Sequence, residues 1–157
     1  MRIGREMNPL SAIANYFRSR KAEDPVFGAL FFFDGGRERT PYWEARCFFP
    51  PCGRTIDLSI AAESFEHRPT DEQKAFFAFV EANYEAICLK VKAAFDDDAH
   101  LGQRTDYTLV GFSIPPCRAE GEAWDMSFES DTGILCLSTA HLQGREARVL
   151  SVDFEID

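Results

Sequence analysis

The stretch from Pro69 to Phe95 is the longest periodic segment of the sequence, and it predicts one long amphipathic α-helix. Thr70 and Gln73 have the spacing of a capping box, in which each side chain accepts a hydrogen bond from the other residue's backbone N–H at the helix start. Apolar side chains then recur at steps of three and four residues and fall on one stripe roughly 120° wide. The stripe consists of Phe76, Phe77, Val80, Tyr84, Ile87, Cys88, Val91 and Phe95. Such a helix must cover an apolar surface, which the rest of the chain has to supply.

A second strip of small side chains follows the same helix. Small residues allow another element to approach closely, but they are also ordinary helix formers near solvent. Two interpretations are therefore open: a solvated strip, or a contact with an N-terminal helix or a second subunit. A homodimer would form through Ala75, Ala82, Ala86, Leu89 and Ala93.

Three strand patterns precede the helix. Val26 to Phe33 is a nearly continuous apolar run, which predicts a strand buried on both faces. Tyr42 to Phe49 and Thr55 to Ala61 alternate between apolar and polar residues, which is typical of strands with one buried face. The short connections between the three strands predict an antiparallel meander.

Four more strand patterns follow the helix, near 107–114, 124–129, 134–139 and 150–157. Strands on both sides of one long helix, without a regular alternation of strands and helices, predict an α+β fold. We expect a mostly antiparallel sheet, built from a three-strand meander and four later strands, with the long helix packed on one face. The three histidines, His67, His100 and His141, fall in or beside predicted loops.

The N-terminal residues predict a short helix ahead of this sheet. Asn8 followed by Pro9 reads as an N-cap and first helical residue, and apolar residues continue at helical spacing to about Arg20. No linker or internal repeat interrupts the sequence. We therefore expect one α+β domain over residues 1–157, with residues 1–24 forming the N-terminal helix and a connector.

The net charge of the chain limits the classes of partner that we expect it to bind. The formal net charge is -9, although residues 1–21 contain five Lys/Arg residues and one acid. An acidic body repels phosphate backbones, so nucleic acid is not an expected partner, whereas a basic protein is. No apolar run approaches the roughly 20 residues that span a bilayer. Five cysteines without a secretory signal predict free thiols in a cytoplasmic protein.

Few residues suggest chemistry, and no cofactor or metal site is predicted. The phosphate-loop, zinc and nucleophile-elbow spacings are absent from the sequence. Cys52 and His67 would make a thiolate–imidazole pair if their loops met, and Cys52 would make a redox pair with Cys117 if their Cα atoms lay within about 7 Å. Glu44 and Asp57 point outward from neighbouring strands, as an acid/base pair or as part of an ion-paired surface. Our candidate pocket or surface residues are Glu44, Cys52, Asp57 and His67.

Several short motifs together suggest a family. They are Gly-Ala-Leu in the first strand, Tyr42-Trp43-Glu44, Pro69-Thr70-x-x-Gln73 and a block from Trp124 to Gly133-Ile134. Over residues 25–157 this pattern resembles small bacterial domain-of-unknown-function proteins, some of them suspected immunity partners of polymorphic toxins. The resemblance implies a fold and supplies no catalytic residue.

These observations lead to one main expectation of function and two alternatives. We expect a non-catalytic protein-interaction module with an acidic surface, possessing an immunity-like role if the resemblance extends to function. The first alternative is a small enzyme or ligand binder with a pocket between helix and sheet. The second is a structural homodimer.

Overall fold

The computed structural model describes residues 20–35, 40–98, 106–131 and 135–156. The predicted N-terminal helix and His100 lie outside these ranges. A single turn of 3-10 helix spans Pro50–Cys52. The longer elements are, in chain order, β1 (Lys21–Asp24), β2 (Gly28–Phe33), β3 (Tyr42–Phe49), β4 (Arg54–Ala61), α1 (Asp71–Asp97), β5 (Tyr107–Ile114), β6 (Ala123–Asp131), β7 (Leu135–Gln143) and β8 (Arg148–Ile156).

The eight strands form one sheet in the order in which they occur in the sequence. All neighbouring strands are antiparallel except β4 and β5, which are parallel because α1 connects them across the sheet. The expected α+β fold, with a mostly antiparallel sheet and one long helix, is therefore confirmed. The expected layout of three strands before the helix is wrong: four strands precede it, because residues 21–24 pair with β2 instead of forming a connector.

The prediction that the strand within Val26 to Phe33, now β2, is buried on both faces is also wrong. Leu30 and Phe32 are buried towards the helix, but Phe31 on the other face remains 36% exposed. Its ring lies under the ammonium group of Lys21, at 5.7 Å from the ring centroid. The apolar run therefore reflects one buried face and one aromatic face that is open to solvent.

The predicted capping box opens α1. The Thr70 hydroxyl accepts a hydrogen bond from the Gln73 backbone at 3.2 Å, and the Gln73 side chain accepts one from the Thr70 backbone at 3.0 Å. The buried Gln73 amide also donates to the carbonyls of Ala61 and Pro115, at 2.8 and 3.1 Å. It therefore ties the ends of the two parallel strands to the start of the helix.

Aromatic rings fill the space between helix and sheet. Phe77 of α1 contacts Phe27 with ring centroids 5.4 Å apart, Phe49 packs on Phe112 at 5.7 Å, and Phe76 packs edge-on against a tryptophan at 5.2 Å. The buried residues of α1 are those of the predicted stripe together with Gln73, except that Tyr84 is only half-buried. In the described part of the chain, no helix is long and apolar enough to cross a membrane.

Candidate functional site

The outer face of the sheet, opposite α1, carries the outward side chains of every strand. Antiparallel register aligns these side chains in rows across the strands, because residues opposite each other point to the same face. One such row runs from β3 to β7 through Glu44, Ser59, Ser113, Asp125 and His141. No helix of the described residues covers this face.

An open groove of about 1820 Å³ lies on this face and continues to the segment before α1. Its floor consists of small residues, among them Ser59, Gly111, Ser113 and Ser127. The floor at Gly111 has to be small, because an added Cβ would lie 2.2 Å from the Asp57 carbonyl oxygen. The ionisable side chains that line the groove include two arginines and six acids, namely Glu44, Asp57, Glu63, Glu66, Glu72 and Asp125.

Three of the four candidate residues line this groove. Glu44 and Asp57 point out of β3 and β4, and Asp57 accepts a 2.9 Å hydrogen bond from the Arg46 guanidinium. His67 lies at the end of the groove nearest α1, where its ring is 2.7 Å from the Ser64 hydroxyl. The structure therefore brings two outward carboxylates and one imidazole to a single concave surface.

Cys52 lies away from these three residues. It follows β3, and its thiol donates to the Phe49 carbonyl at 3.5 Å. His67 lies at the other end of β3, where its carbonyl accepts from the Trp43 indole at 2.8 Å. An eight-residue strand is roughly 26 Å long, so the thiol and the imidazole do not meet. For the same reason Cys52 does not meet Cys117, which follows the far end of β5.

Three of the thiols are poor nucleophiles in this environment. Burial raises the pKa of Cys47 and of Cys117 to about 11, and burial also raises the pKa of Cys88. A thiol with so high a pKa is almost entirely protonated at neutral pH, and the thiolate is the reactive form. The five cysteines are free.

The prediction that His141 falls in or beside a loop is wrong. His141 lies within β7, and its ring bridges β6 and β8. Nδ1 is 2.6 Å from an Asp125 oxygen, and Nε2 is 2.6 Å from an Asp153 oxygen. The hydrogen bond to Asp153, together with that to Asp125, raises the pKa of His141 against the opposing effect of desolvation.

This geometry fixes the chemistry of His141. Each ring nitrogen faces a carboxylate oxygen, which can only accept a hydrogen bond, so the arrangement favours the protonated imidazole, in which both nitrogens donate. Both ring nitrogens are engaged by carboxylates, and neither faces the hydroxyl of Ser113 or Ser127, although these serines lie on the same face. The arrangement is a carboxylate–imidazole–carboxylate bridge across three strands. In the sequence, the four residues Thr139-Ala140-His141-Leu142 alternate between polar and apolar side chains, and this short pattern is the signal that would have extended the strand over His141.

No three His, Cys, Asp or Glu side chains are arranged to hold a metal ion within the described ranges. We also compared the chain with models of known protein families, with curated proteins and with solved structures, and none of these comparisons found a match.

Proposed function

We propose that this chain is a non-catalytic interaction protein that binds a basic protein partner on the outer face of its sheet. The observation that carries this proposal is the open groove lined by six acids and two arginines. Arg118 pairs with Glu63 and Arg46 pairs with Asp57, so these pairs carry no net charge, and four acids of the groove remain against Arg68.

Charge supports a basic partner more than a small ligand. Complementary charge speeds encounter and selects among partners, and the net charge of -9 extends the attraction beyond the groove itself. The family resemblance favours one form of this function, in which the acidic protein covers the basic surface of a toxin in the cytoplasm.

Aromatic side chains on the same face supply apolar anchors. Phe48 is 61% exposed at the end of β3, and Phe31 and Tyr42 point outward from β2 and β3. Aromatic residues are enriched where interfaces become dry, and they contribute much of the binding energy there. Charge would therefore guide the partner, and these rings would hold it.

A comparison of two charge reversals tests this proposal. Glu44→Lys changes the groove, whereas Glu85→Lys makes the same change in net charge on the solvated side of α1, where Glu85 is exposed. Wild type and both variants would be used as baits in the host lysate, and the affinities of the retained proteins would then be measured by calorimetry. We expect basic proteins that bind the wild type and the Glu85 variant but bind the Glu44 variant at least about tenfold more weakly.

Two results would contradict the proposal. One is that no basic protein is retained by the wild-type bait. The other is that both charge reversals weaken binding equally, because the effect would then come from net charge and not from the outer face.

The homodimer is a second candidate, supported by one observation. The strip on α1 is exposed along its whole length, and Leu89, its one large side chain, is 71% exposed. Light scattering at high protein concentration tests it: a dimer has twice the chain mass of 17.8 kDa, and Leu89→Glu should return it to the monomer.

A further inference from the structure

We infer that the groove takes an α-helix of the partner, one that carries Lys or Arg side chains and lies along β5. This occupant refines the proposed function and depends on it. Three features of the groove support it: the hydrogen bonding of its floor, its width, and the position of its charges.

The backbone of the small floor residues Ser59, Gly111, Ser113 and Ser127 already pairs with neighbouring strands. The strands β4, β5 and β6 are interior strands, each paired with neighbours on both sides. A strand of a partner binds a sheet through the free N–H and C=O groups of an edge strand, and this groove lies far from both edges. A helix satisfies its own backbone groups and presents only side chains. The interior position of the groove therefore favours a helix.

The width of the groove also fits a helix. β3 and β7 are four strand spacings apart, which is roughly 19 Å between their backbones. Glu44 of β3 and Leu137 of β7 line the groove on its two sides. A helix with its side chains is about 10–12 Å across. Between the walls, Ser59, Gly111 and Ser127 keep the floor low enough for such a helix to approach the sheet.

Acids stand on both sides of this floor. Glu44 and Asp57 lie on the side of β3 and β4, and Asp125 lies on the side of β6. Asp57 and Asp125 each already bind a neighbour, Arg46 and His141, through the Oδ1 oxygen. Glu44 and Asp125 are three strands apart, roughly 14 Å between backbones. A helix along β5 can direct basic side chains from its two flanks to both groups at once, while its central residues face the hydroxyls of the floor.

Two peptides of equal charge test the shape of the occupant. The first is an 18-residue alanine-based helix with Lys and Arg on both flanks, and the second has the same basic residues but two central prolines that prevent a helix. Binding would be measured by fluorescence anisotropy at low ionic strength, where surface charges are least screened. We expect the helical peptide to bind at least about tenfold more tightly, because the second peptide cannot adopt the bound shape.

Two substitutions test the place of binding without changing charge. Ser59→Trp raises the floor of the groove, and Thr55→Trp places the same side chain on the same strand and face but outside the groove. We expect the Ser59 variant to bind the helical peptide at least about tenfold more weakly and the Thr55 variant to bind it within about twofold of wild type. If the Ser59 variant does not fold, changes in the NMR chemical shifts of the wild-type β5 backbone on addition of the peptide show whether the peptide binds there.

The inference fails if the proline peptide binds as tightly as the helical one, if Ser59→Trp has no effect, or if the shifts map away from β5. Each of these results leaves the comparison of Glu44→Lys with Glu85→Lys unaffected. The shape of the occupant and the existence of a basic partner are therefore tested separately.

Discussion

His141 has a charge state that depends on three strands being in register. Its ring lies between Asp125 of β6 and Asp153 of β8, and Arg148 of β8 points to the same face one row away. The two carboxylates raise its pKa above the ordinary value of 6.5, Asp153 contributing most. A raised pKa stabilises the fold while the imidazole is protonated in the folded state, so this contribution is complete below pH 6.5 and is lost as pH rises through the folded pKa.

Because this stabilisation is present at low pH and lost at high pH, wild type and His141→Gln should differ in stability in a pH-dependent way. The free energy of unfolding, measured by urea denaturation, should be lower in the variant by about 1 kcal/mol at pH 5.5, a value discounted for the partial exposure of the ring. The difference should shrink towards pH 9. A difference that grows with pH would show that His141 is not held as a cation, and an NMR titration of its ring protons measures the pKa directly.

Single residues of the site were predictable from the sequence only where local alternation was enough. Glu44 and Asp57 were expected on the outer face because their strands alternate clearly, and the structure places both in the groove. His141 was missed because its role depends on partners 16 and 12 residues away in sequence. Such contacts follow from strand register, which periodicity does not contain.

Gln73 connects three elements, and its substitution should cost more than the loss of a helix cap. Gln73→Ala removes the donor to the carbonyls of Ala61 and Pro115 as well as half of the capping box. Leaving buried carbonyls without a donor costs about 1–3 kcal/mol and a lost cap about 1 kcal/mol. We expect the free energy of unfolding to fall by about 3 kcal/mol in urea denaturation.

A matched control for this change is Asn83→Ala. The Asn83 amide donates to the Phe79 carbonyl within α1, but on the exposed side of the helix. Water replaces that hydrogen bond, so the variant should lose less than about 0.5 kcal/mol. Equal losses in the two variants would mean that Gln73 does not join β4 and β5 to the helix.

Gly111 lies where a side chain on β5 would collide with the backbone of β4. An alanine Cβ there would lie 2.2 Å from the Asp57 carbonyl oxygen, so one strand has to move. We expect Gly111→Ala to lower the free energy of unfolding by about 2–3 kcal/mol and to speed hydrogen exchange in β4 and β5. Ser59→Ala, on the same face of β4, should stay within about 0.5 kcal/mol of wild type. If Gly111→Ala is as stable as Ser59→Ala, the close approach of the strands is not rigid.

The elements themselves were predicted well where their patterns are local. The helix runs over Asp71–Asp97, within two residues of the predicted segment, because its cap and apolar stripe are both encoded in consecutive residues. β1 was missed, because its four residues include three charged ones, and only pairing with β2 makes them a strand. The parallel pairing of β4 and β5 could not be predicted either, since these strands are separated by the whole helix.

At the scale of the molecule, the described sheet consists of two halves that meet at one parallel pair. β1–β4 and β5–β8 are each built from antiparallel neighbours, and among the described strands only the β4–β5 pairing joins them within the sheet. The aromatic core also crosses this boundary, since Phe49 from the first half packs on Phe112 from the second, and Phe77 of α1 contacts both rings. Because these contacts are buried and shared, we expect the halves to unfold in one transition.

The two tryptophans of the chain allow this to be measured, because Trp43 lies in β3 and Trp124 in β6. Both indoles are buried and donate to a backbone carbonyl, Trp43 at 2.8 Å and Trp124 at 3.0 Å. Trp124→Phe leaves a reporter only in the first half, and Trp43→Phe leaves one only in the second. In each variant, the urea midpoint from fluorescence should equal the midpoint from far-UV circular dichroism, which reports on the whole fold. A fluorescence midpoint that precedes the dichroism midpoint in only one variant would identify the half that unfolds first, and it would show that the aromatic contacts across β4 and β5 are too weak to couple the two halves.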